Sequence, residues 1–242
     1  MPPTDYERLA PNYAQHRSAH PHVLEKLVAA ARADSVVLEI GCGTGNYVTE
    51  VRRLVGCQCA GIDPAKRMLE VLQARAADVE ATLGNAEYLP FADARFDLAY
   101  SVDVVHHLRD RQTAFQEMFR VLQGGGRVCT VTDSEDIIRA REPLSTYFPE
   151  TVEIELGRYP RVAALRDEMT KAGFVALREE QVELIDELTD AAAYRAKAFS
   201  SLLQLSEWDF ARGLERLESE LARGPVRRVS RYLLLWGEKP PI

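Results

Sequence analysis

The sequence predicts an α/β fold built on a doubly wound, mostly parallel sheet of seven strands, with helices on both faces and a helical lid insertion. Short apolar runs alternate with amphipathic stretches from Asp34 to Asp133, which is typical of βα units on a parallel sheet. The first apolar run leads directly into the glycine-rich segment 41–45, and a helix candidate follows it. With 46% hydrophobic residues among 242, the chain can bury a full core without disulfides or metals.

The first half supplies five strands and four helices. The strands are expected at 36–40, 58–62, 79–83, 96–102 and 127–132, and the helices at 21–33, 46–55, 64–76 and 111–122. In the last helix Ala114, Phe115 and Met118 belong to an apolar stripe at helical spacing. Gly124-Gly125-Gly126 is expected to end this helix and turn the chain into the fifth strand.

The second half is less regular. Residues 135–160 contain three prolines and little periodicity, so they are predicted to be irregular. A helix is expected at 161–172, a strand at 174–185, continuous helix at 190–223 and a last strand at 228–236.

The domain organisation follows from these elements. We expect one domain over 1–242, in which 1–33 form leader helices and 34–133 form the core. Residues 135–160 and 190–223 are interpreted as substrate-lid insertions, because the helical segment is too small to be an independent domain.

The charge and the apolar pattern exclude several classes of protein. Thirty-seven acidic residues against 30 basic ones give a net charge of −7, which argues against binding to nucleic acid or to an anionic membrane. No apolar stretch approaches the roughly 20 residues that span a bilayer, and the first residues contain no apolar run typical of a signal peptide. Four cysteines do not indicate a disulfide framework. We expect a cytoplasmic protein, either a monomer or a homodimer.

The glycine-rich turn has the spacing Gly-x-Gly-x-Gly, and Asn46 stands where the dinucleotide fingerprint has a further glycine. Glu39, two residues before Gly41, would repel a pyrophosphate but suits a ligand with a positively charged end. Asp63 ends the second strand, where such a sheet places a carboxylate against ribose hydroxyls. The predicted ligand is a nucleoside with a cationic tail. A tight strand-to-helix turn that binds nothing is the alternative.

These segments resemble the class I S-adenosylmethionine-dependent methyltransferases, most closely the small-molecule branch that includes ubiquinone and menaquinone methyltransferases. Residues 39–45 resemble the first motif of that family, and Asp63 its ribose-binding acid. Residues 84–91 resemble its adenine-contacting loop, 96–108 its fourth-strand motif, and 119–127 its Arg-Val-Leu-Lys-Pro-Gly-Gly turn with Gln and Gly in place of Lys and Pro. The resemblance implies a Rossmann-like fold and methyl transfer from S-adenosylmethionine to a small-molecule acceptor, with S-adenosylhomocysteine as product.

The resemblance also implies a cofactor site. Its expected members are Tyr13, Arg17, Glu39, Gly41, Cys42, Gly43, Asn46, Asp63, Pro64, Met68, Asn85, Ala86, Glu87, Ser101 and Val102. Asn85 replaces the usual aspartate, and its amide oxygen can still accept from the adenine amino group. Arg17 can pair with the methionine carboxylate, and Tyr13 lies four residues earlier on the same helical face.

His106 is the candidate general base, because it follows the fourth strand at the edge where open α/β sheets bind ligands. His107 is expected to point elsewhere, and the alternative for His106 is that it only shapes the pocket. Cys57 and Cys59 share one strand face, but no second ligand pair stands at metal spacing, so no metal site is predicted.

Two other functions stay open. A nicotinamide-dependent oxidoreductase could use a related sheet, although Asn46, Glu39 and the lack of a Tyr-x-x-x-Lys pair count against it. A non-catalytic S-adenosylmethionine-binding protein is compatible with the sequence, because alignment alone can drive methyl transfer and no base is required.

Overall fold

The computed structural model describes residues 18–241, which form one seven-stranded sheet with helices between its strands. The strands are β1 (Val36–Ile40), β2 (Gln58–Asp63), β3 (Glu80–Leu83), β4 (Phe96–Val102), β5 (Leu122–Thr132), β6 (Val175–Leu188) and β7 (Val226–Glu238). The helices are α1 (Pro21–Ala30), α2 (Val48–Val55), α3 (Lys66–Arg75), α4 (Arg111–Val121), α5 (Glu135–Arg139), α6 (Leu144–Tyr147), α7 (Glu150–Arg158), α8 (Val162–Ala172), α9 (Ala192–Arg195) and α10 (Glu207–Leu221), with a 3₁₀ turn at Leu202–Gln204.

The strand order β3-β2-β1-β4-β5-β7-β6 confirms the predicted fold class. The first five strands pair in parallel, and β7 runs antiparallel to β5. From β1 the chain continues to β2 and β3 on one side, whereas β4 and β5 extend the sheet on the other. The order therefore reverses between β1 and β4, and ligands of open α/β sheets bind at the carboxyl ends of strands at such a switch point.

The core of the sheet follows from its apolar strands. Four of the five residues of β1 are buried, as expected for a parallel strand covered on both faces. Leu38 and Ile40 pack in one cluster with Phe115 and Met118 of α4 and Met169 of α8. The stripe predicted for α4 is thus the face that this helix buries.

The chain divides into two compact units. One contains the described residues up to Thr132, with Val162–Glu180 and the residues from Leu233 onward. The other contains Asp133–Arg161 and Gln181–Tyr232. This second unit has its own apolar cluster, in which the rings of Phe148 and Tyr194 stack with centroids 5.8 Å apart. The assignment of its segments as a lid within a single domain stays a prediction.

The irregular structure predicted for 135–160 is wrong, because this segment forms α5, α6 and α7. Ser134 caps α5 through its side chain, and Pro143 and Pro149 occupy the residues just before α6 and α7. Proline suits a helix start because its fixed φ is helical and its missing N–H is not needed there. These helices are short and begin next to prolines, so the sequence shows no helical periodicity from which they could be predicted.

Several element bounds differ from the prediction by two or three residues, and two differences are larger. Residues 190–223 are not wholly helical, since extended residues separate the 3₁₀ turn from α10 and Ser206 caps α10 anew. β5 begins at Leu122 rather than at 127, because the N–H of Gly125 donates to the carbonyl of Lys239 and draws the glycines into the sheet. Among residues 18–241, no helix is long and apolar enough to cross a membrane.

Candidate active site

A cavity of about 730 Å³ opens at the carboxyl ends of β1, β2, β3 and β4 in the first unit. Four segments line it. They are the glycine loop after β1 with Ile40, Gly41 and Gly43, the end of β2 and the start of α3 with Ile62–Ala65 and Met68, the loop after β3 with Gly84–Glu87, and the turn after β4 with Val102–Val104 and His107–Arg109. The cavity thus lies at the switch point of the sheet.

The glycine loop folds tightly against β2. The N–H groups of Gly41 and Cys42 both donate to the carbonyl of Ile62, at 2.8 and 3.1 Å. Gly41 and Gly43 have φ values of 68° and 51°, in the left-handed region that favours glycine. A Cβ at Gly41 would lie 2.4 Å from Val104 Cγ2, whereas a Cβ at Gly43 would meet no described atom within 4 Å. Gly43 therefore leaves open space where a ligand can approach the backbone.

Asp63 presents its carboxylate at the cavity wall next to this glycine. Its Oδ2 accepts from the N–H of Gly43 at 2.9 Å, and its Oδ1 accepts from the N–H of Ala65 at 2.8 Å. These bonds fix the carboxylate and tie the loop to β2, because hydrogen bonds to an ionised acceptor are the stronger kind. An ionised carboxylate has about four acceptor positions, and each oxygen of Asp63 can accept more than one hydrogen bond.

Glu39 does not line the cavity but lies behind the glycine loop. Its Oε2 accepts from the N–H of Val48 at 2.7 Å and from the hydroxyl of Tyr100 at 3.3 Å. Val48 is the first residue of α2, so Glu39 supplies the cap that Tyr47 does not. Burial raises the pKa of Glu39 to about 8. Glu39 thus holds the loop against α2, and its contact with the cofactor stays a prediction.

Three other expected cofactor residues also lie outside the cavity lining. Cys42 is buried, and its Sγ packs so close to Gly61 that a Cβ added to Gly61 would lie 2.7 Å from the sulfur. The hydroxyl of Ser101 is buried and hydrogen-bonded to that of Thr130 at 2.9 Å. Asn46 Oδ1 accepts from Arg75 Nη1 at 2.9 Å. A contact of these side chains with the cofactor stays a prediction.

The loop after β3 lies where the resemblance places the adenine contacts. Asn85, Ala86 and Glu87 line the cavity, and Pro64, Met68 and Val102 do as well. Glu87 Oε1 also accepts from the N–H of Arg109 at 3.1 Å, which ties this loop to the turn after β4. Tyr13 and Arg17 lie outside the described residues.

The turn after β4 places the two histidines in the opposite way to the prediction. The N–H of His107 donates to the carbonyl of Val104 at 2.8 Å, which closes the turn. His107 is exposed and lines the cavity, whereas His106 is half-buried and is not among the described lining residues. Adjacent residues in a tight turn face different ways, and the sequence cannot decide which one faces the cavity.

Sequence reasoning missed several lining residues, namely Ile40, Ile62, Ala65, Gly84, Asp103, Val104, His107, Leu108 and Arg109. Most adjoin a predicted site residue, so the strand ends were the available indication. Asp103 is unusual because its φ of 57° is left-handed in a residue that is not glycine. Such conformations cluster at functional sites. Asp133, the residue that follows β5, pairs with Arg141 in the second unit.

The residues present fit S-adenosylmethionine. The uncovered backbone at Gly43, the Asp63 carboxylate beside it and the Asn85 amide suit a nucleoside, and Ile62 and Met68 offer apolar surface to a flat ring.

Comparisons with known proteins agree with this fit. Residues 38–130 match the family model of the methyltransferase domain. An uncharacterized methyltransferase of Mycobacterium tuberculosis strain H37Rv is 33% identical over 238 residues, which cover 95% of this chain and 88% of that protein. The O-methyltransferase resE of Aspergillus sclerotiorum is 38% identical over 105 residues, 41% of this chain and 40% of that protein. The match thus spans less than half of the fungal protein.

The fold has solved counterparts too. A candidate methyltransferase from an antibiotic biosynthesis pathway of Anabaena variabilis aligns with a TM-score of 0.71 at 21% identity, over 91% of this chain and 98% of that one. At this identity the likeness concerns the fold alone, whereas the mycobacterial relative covers nearly the whole chain. The chain therefore belongs to the class I S-adenosylmethionine-dependent methyltransferases.

Proposed function

We propose that the protein transfers a methyl group from S-adenosylmethionine to a small-molecule acceptor. The observation that carries the proposal is the cavity at the switch point, whose wall places the fixed carboxylate of Asp63 beside the uncovered backbone of Gly43. The nicotinamide alternative is not favoured, because the relatives named above are methyltransferases.

The bound cofactor supplies the electrophilic methyl group and its leaving group. The chain holds and aligns the reactants, a contribution worth up to roughly 7–11 kcal/mol when the geometry is good. Asp63 accepts hydrogen bonds from ribose hydroxyls, and Asn85 accepts from the adenine amino group. Gly43 leaves room for close approach to the backbone, because it has no side chain.

The turn after β4 supplies the base where the acceptor carries a proton. This turn contains two histidines, and His107 lines the cavity whereas His106 does not. We therefore assign to His107 the role that the sequence suggested for His106. A histidine titrates near neutral pH and can accept a proton from a hydroxyl or phenol as its oxygen attacks.

The acceptor is a small molecule rather than a nucleic acid, in keeping with the net charge of −7. An acceptor oxygen is the first to test, because the fungal relative is named an O-methyltransferase. The proposed cytoplasmic location depends on the sequence alone, and either a monomer or a homodimer is compatible with it.

The test is a turnover assay with S-adenosylmethionine and a panel of hydroxyl, phenol, carboxylate, amine and thiol compounds. Formation of S-adenosylhomocysteine above the acceptor-free control, with a product heavier by one methyl group, is the expected result. A protein that binds S-adenosylhomocysteine tightly and methylates no member of a broad panel would favour the non-catalytic binding protein instead.

A further inference from the structure

A pair of charged residues on α4 holds the segment that continues the adenine-side loop. Glu117 and Arg120 are three residues apart, and Arg120 donates from Nε and Nη2 to the two carboxylate oxygens of Glu117, both at 2.8 Å. Their side chains are 18% and 31% exposed, so solvent screens this pair only in part. The hydrogen bonds from Arg120 lower the pKa of Glu117 and keep it charged.

The pair binds both backbone polar groups of Leu89. Glu117 Oε2 accepts from the N–H of Leu89 at 2.8 Å, and Arg120 Nη2 donates to the carbonyl of the same residue at 2.8 Å. Arg120 Nη1 also donates to the carbonyl of Phe91 at 2.8 Å and to Asp93 Oδ1 at 2.7 Å. Two side chains of α4 thus bind backbone groups of Leu89 and Phe91.

Leu89 is close in sequence to the cavity wall. Asn85, Ala86 and Glu87 line the cavity. Tyr88 forms an isolated antiparallel β-bridge with Asn85, and its N–H donates to the carbonyl of Asn85 at 3.4 Å. At its other end the loop is held where the N–H of Gly84 donates to the carbonyl of Asp63 at 3.1 Å. The wall is therefore a short turn held at both ends.

We propose that Glu117 and Arg120 are positioning residues for the cofactor site, which fix Leu89 and Phe91 so that Asn85 and Ala86 present the adenine contacts in one geometry. The inference rests on the proposed function, since it concerns the same cofactor. Neither residue lines the cavity, so each acts through the loop backbone.

The substitution Arg120→Lys tests the contacts of the guanidinium group directly. An ammonium cannot reproduce the planar, multiply donating guanidinium, so Arg120→Lys keeps the charge but cannot make all of these contacts. We expect the dissociation constant of S-adenosylhomocysteine to rise about tenfold, because charge-assisted bonds that order the binding loop are lost. The KM for S-adenosylmethionine should rise in parallel, with kcat at saturation within about twofold, because the ground state and the transition state lose the same binding energy.

Glu117→Gln is the second variant and keeps an acceptor for Leu89. It removes the charge that orients Arg120, and we expect a smaller loss of affinity in the same direction. Hydrogen exchange of the ligand-free protein gives a readout without cofactor: the amide of Leu89 should exchange faster in both variants. Arg223→Lys is the matched control, because Arg223 pairs with Glu220 at the same spacing, at 2.7 Å, in the second unit.

The titration of wild type and variants with S-adenosylhomocysteine decides between the outcomes. Weaker binding by both variants, with faster exchange at Leu89 and an unchanged control, supports the positioning role. Wild-type affinity in Arg120→Lys, even with a lowered Tm, would overturn it and leave the proposed function intact. If Arg120→Lys does not fold, unchanged affinity and exchange in Glu117→Gln overturn it. No binding by the wild-type protein would overturn both this proposal and the proposed function.

Discussion

Replacement of Gly43 by alanine separates the binding role of the glycine loop from its conformational role. Gly43 has a φ of 51°, lines the cavity, and offers a Cβ no contact within 4 Å among the described atoms. Gly56 resembles Gly43 in its backbone conformation and in the space around it, because its φ is 77° and a Cβ there also meets no described atom within 4 Å. It ends α2 and does not line the cavity. Gly56→Ala is therefore the control for backbone strain.

The magnitudes follow from these environments. A left-handed conformation destabilises an L-residue by about 1–2 kcal/mol. Alanine also lowers the conformational entropy of the unfolded chain, which stabilises the folded state by roughly 0.4–1 kcal/mol. Each variant should then lose about 1 kcal/mol of unfolding free energy, or about 2–4 °C in Tm for a chain of this size. Only at Gly43 does the methyl group occupy ligand space, where overpacking costs about 1–3 kcal/mol. The affinity for S-adenosylhomocysteine should fall by a factor between about 5 and about 150.

Thermal denaturation and isothermal titration calorimetry of both variants measure the two effects separately. The expected result is a similar decrease in Tm for Gly43→Ala and Gly56→Ala, with weakened binding in Gly43→Ala alone. Equal affinity in wild type and Gly43→Ala would refute the reasoning, because the backbone at Gly43 would then not face the bound cofactor.

Four further substitutions test other residues in and behind the cavity wall. Asp63→Asn removes the charge and one acceptor, so we expect a loss of about 1–3 kcal/mol in urea unfolding and a more than tenfold loss of S-adenosylhomocysteine affinity; near-normal affinity would contradict the ribose assignment. His107→Ala should lower kcat by about 10²–10⁴ for a hydroxyl acceptor with cofactor affinity unchanged, and a larger loss in His106→Ala would return the base to that residue. Burial raises the pKa of Glu39 to about 8 in the folded protein. As the pH rises, the unfolded chain loses this proton at a lower pH than the folded protein does, so the unfolding free energy should fall between pH 5 and 8. Glu39→Gln should flatten that slope, and an unchanged slope would assign it to other groups.

The sequence predicted best those parts of the molecule in which local pattern and tertiary structure agree. The strands β1, β2 and β4 were expected within a residue of their observed bounds, because buried parallel strands are short continuous apolar runs bounded by turns. Glycine spacing and the acid at the end of β2 singled out Gly41, Gly43 and Asp63, which line one cavity, and their contacts with the cofactor stay a prediction.

Side-chain direction could not be predicted in the same way. Glu39 and Ser101 stand at strand ends near the cavity, but alternation along each strand and contacts with Tyr100 and Thr130 turn them into the interior. His106 and His107 differ only by their place in a turn. The contacts of Arg120 with the backbone of Leu89 are also invisible in sequence, because they join segments separated by 31 residues.

The most direct test of the central claim is thermal denaturation of the wild-type protein with increasing S-adenosylhomocysteine, S-adenosylmethionine or NAD. A ligand that binds only the folded state stabilises it by RT ln(1 + [L]/Kd), about 2.7 kcal/mol at a concentration of one hundred times Kd. We expect a Tm that rises with S-adenosylmethionine and S-adenosylhomocysteine and does not change with NAD. A Tm that rises with NAD alone would contradict it.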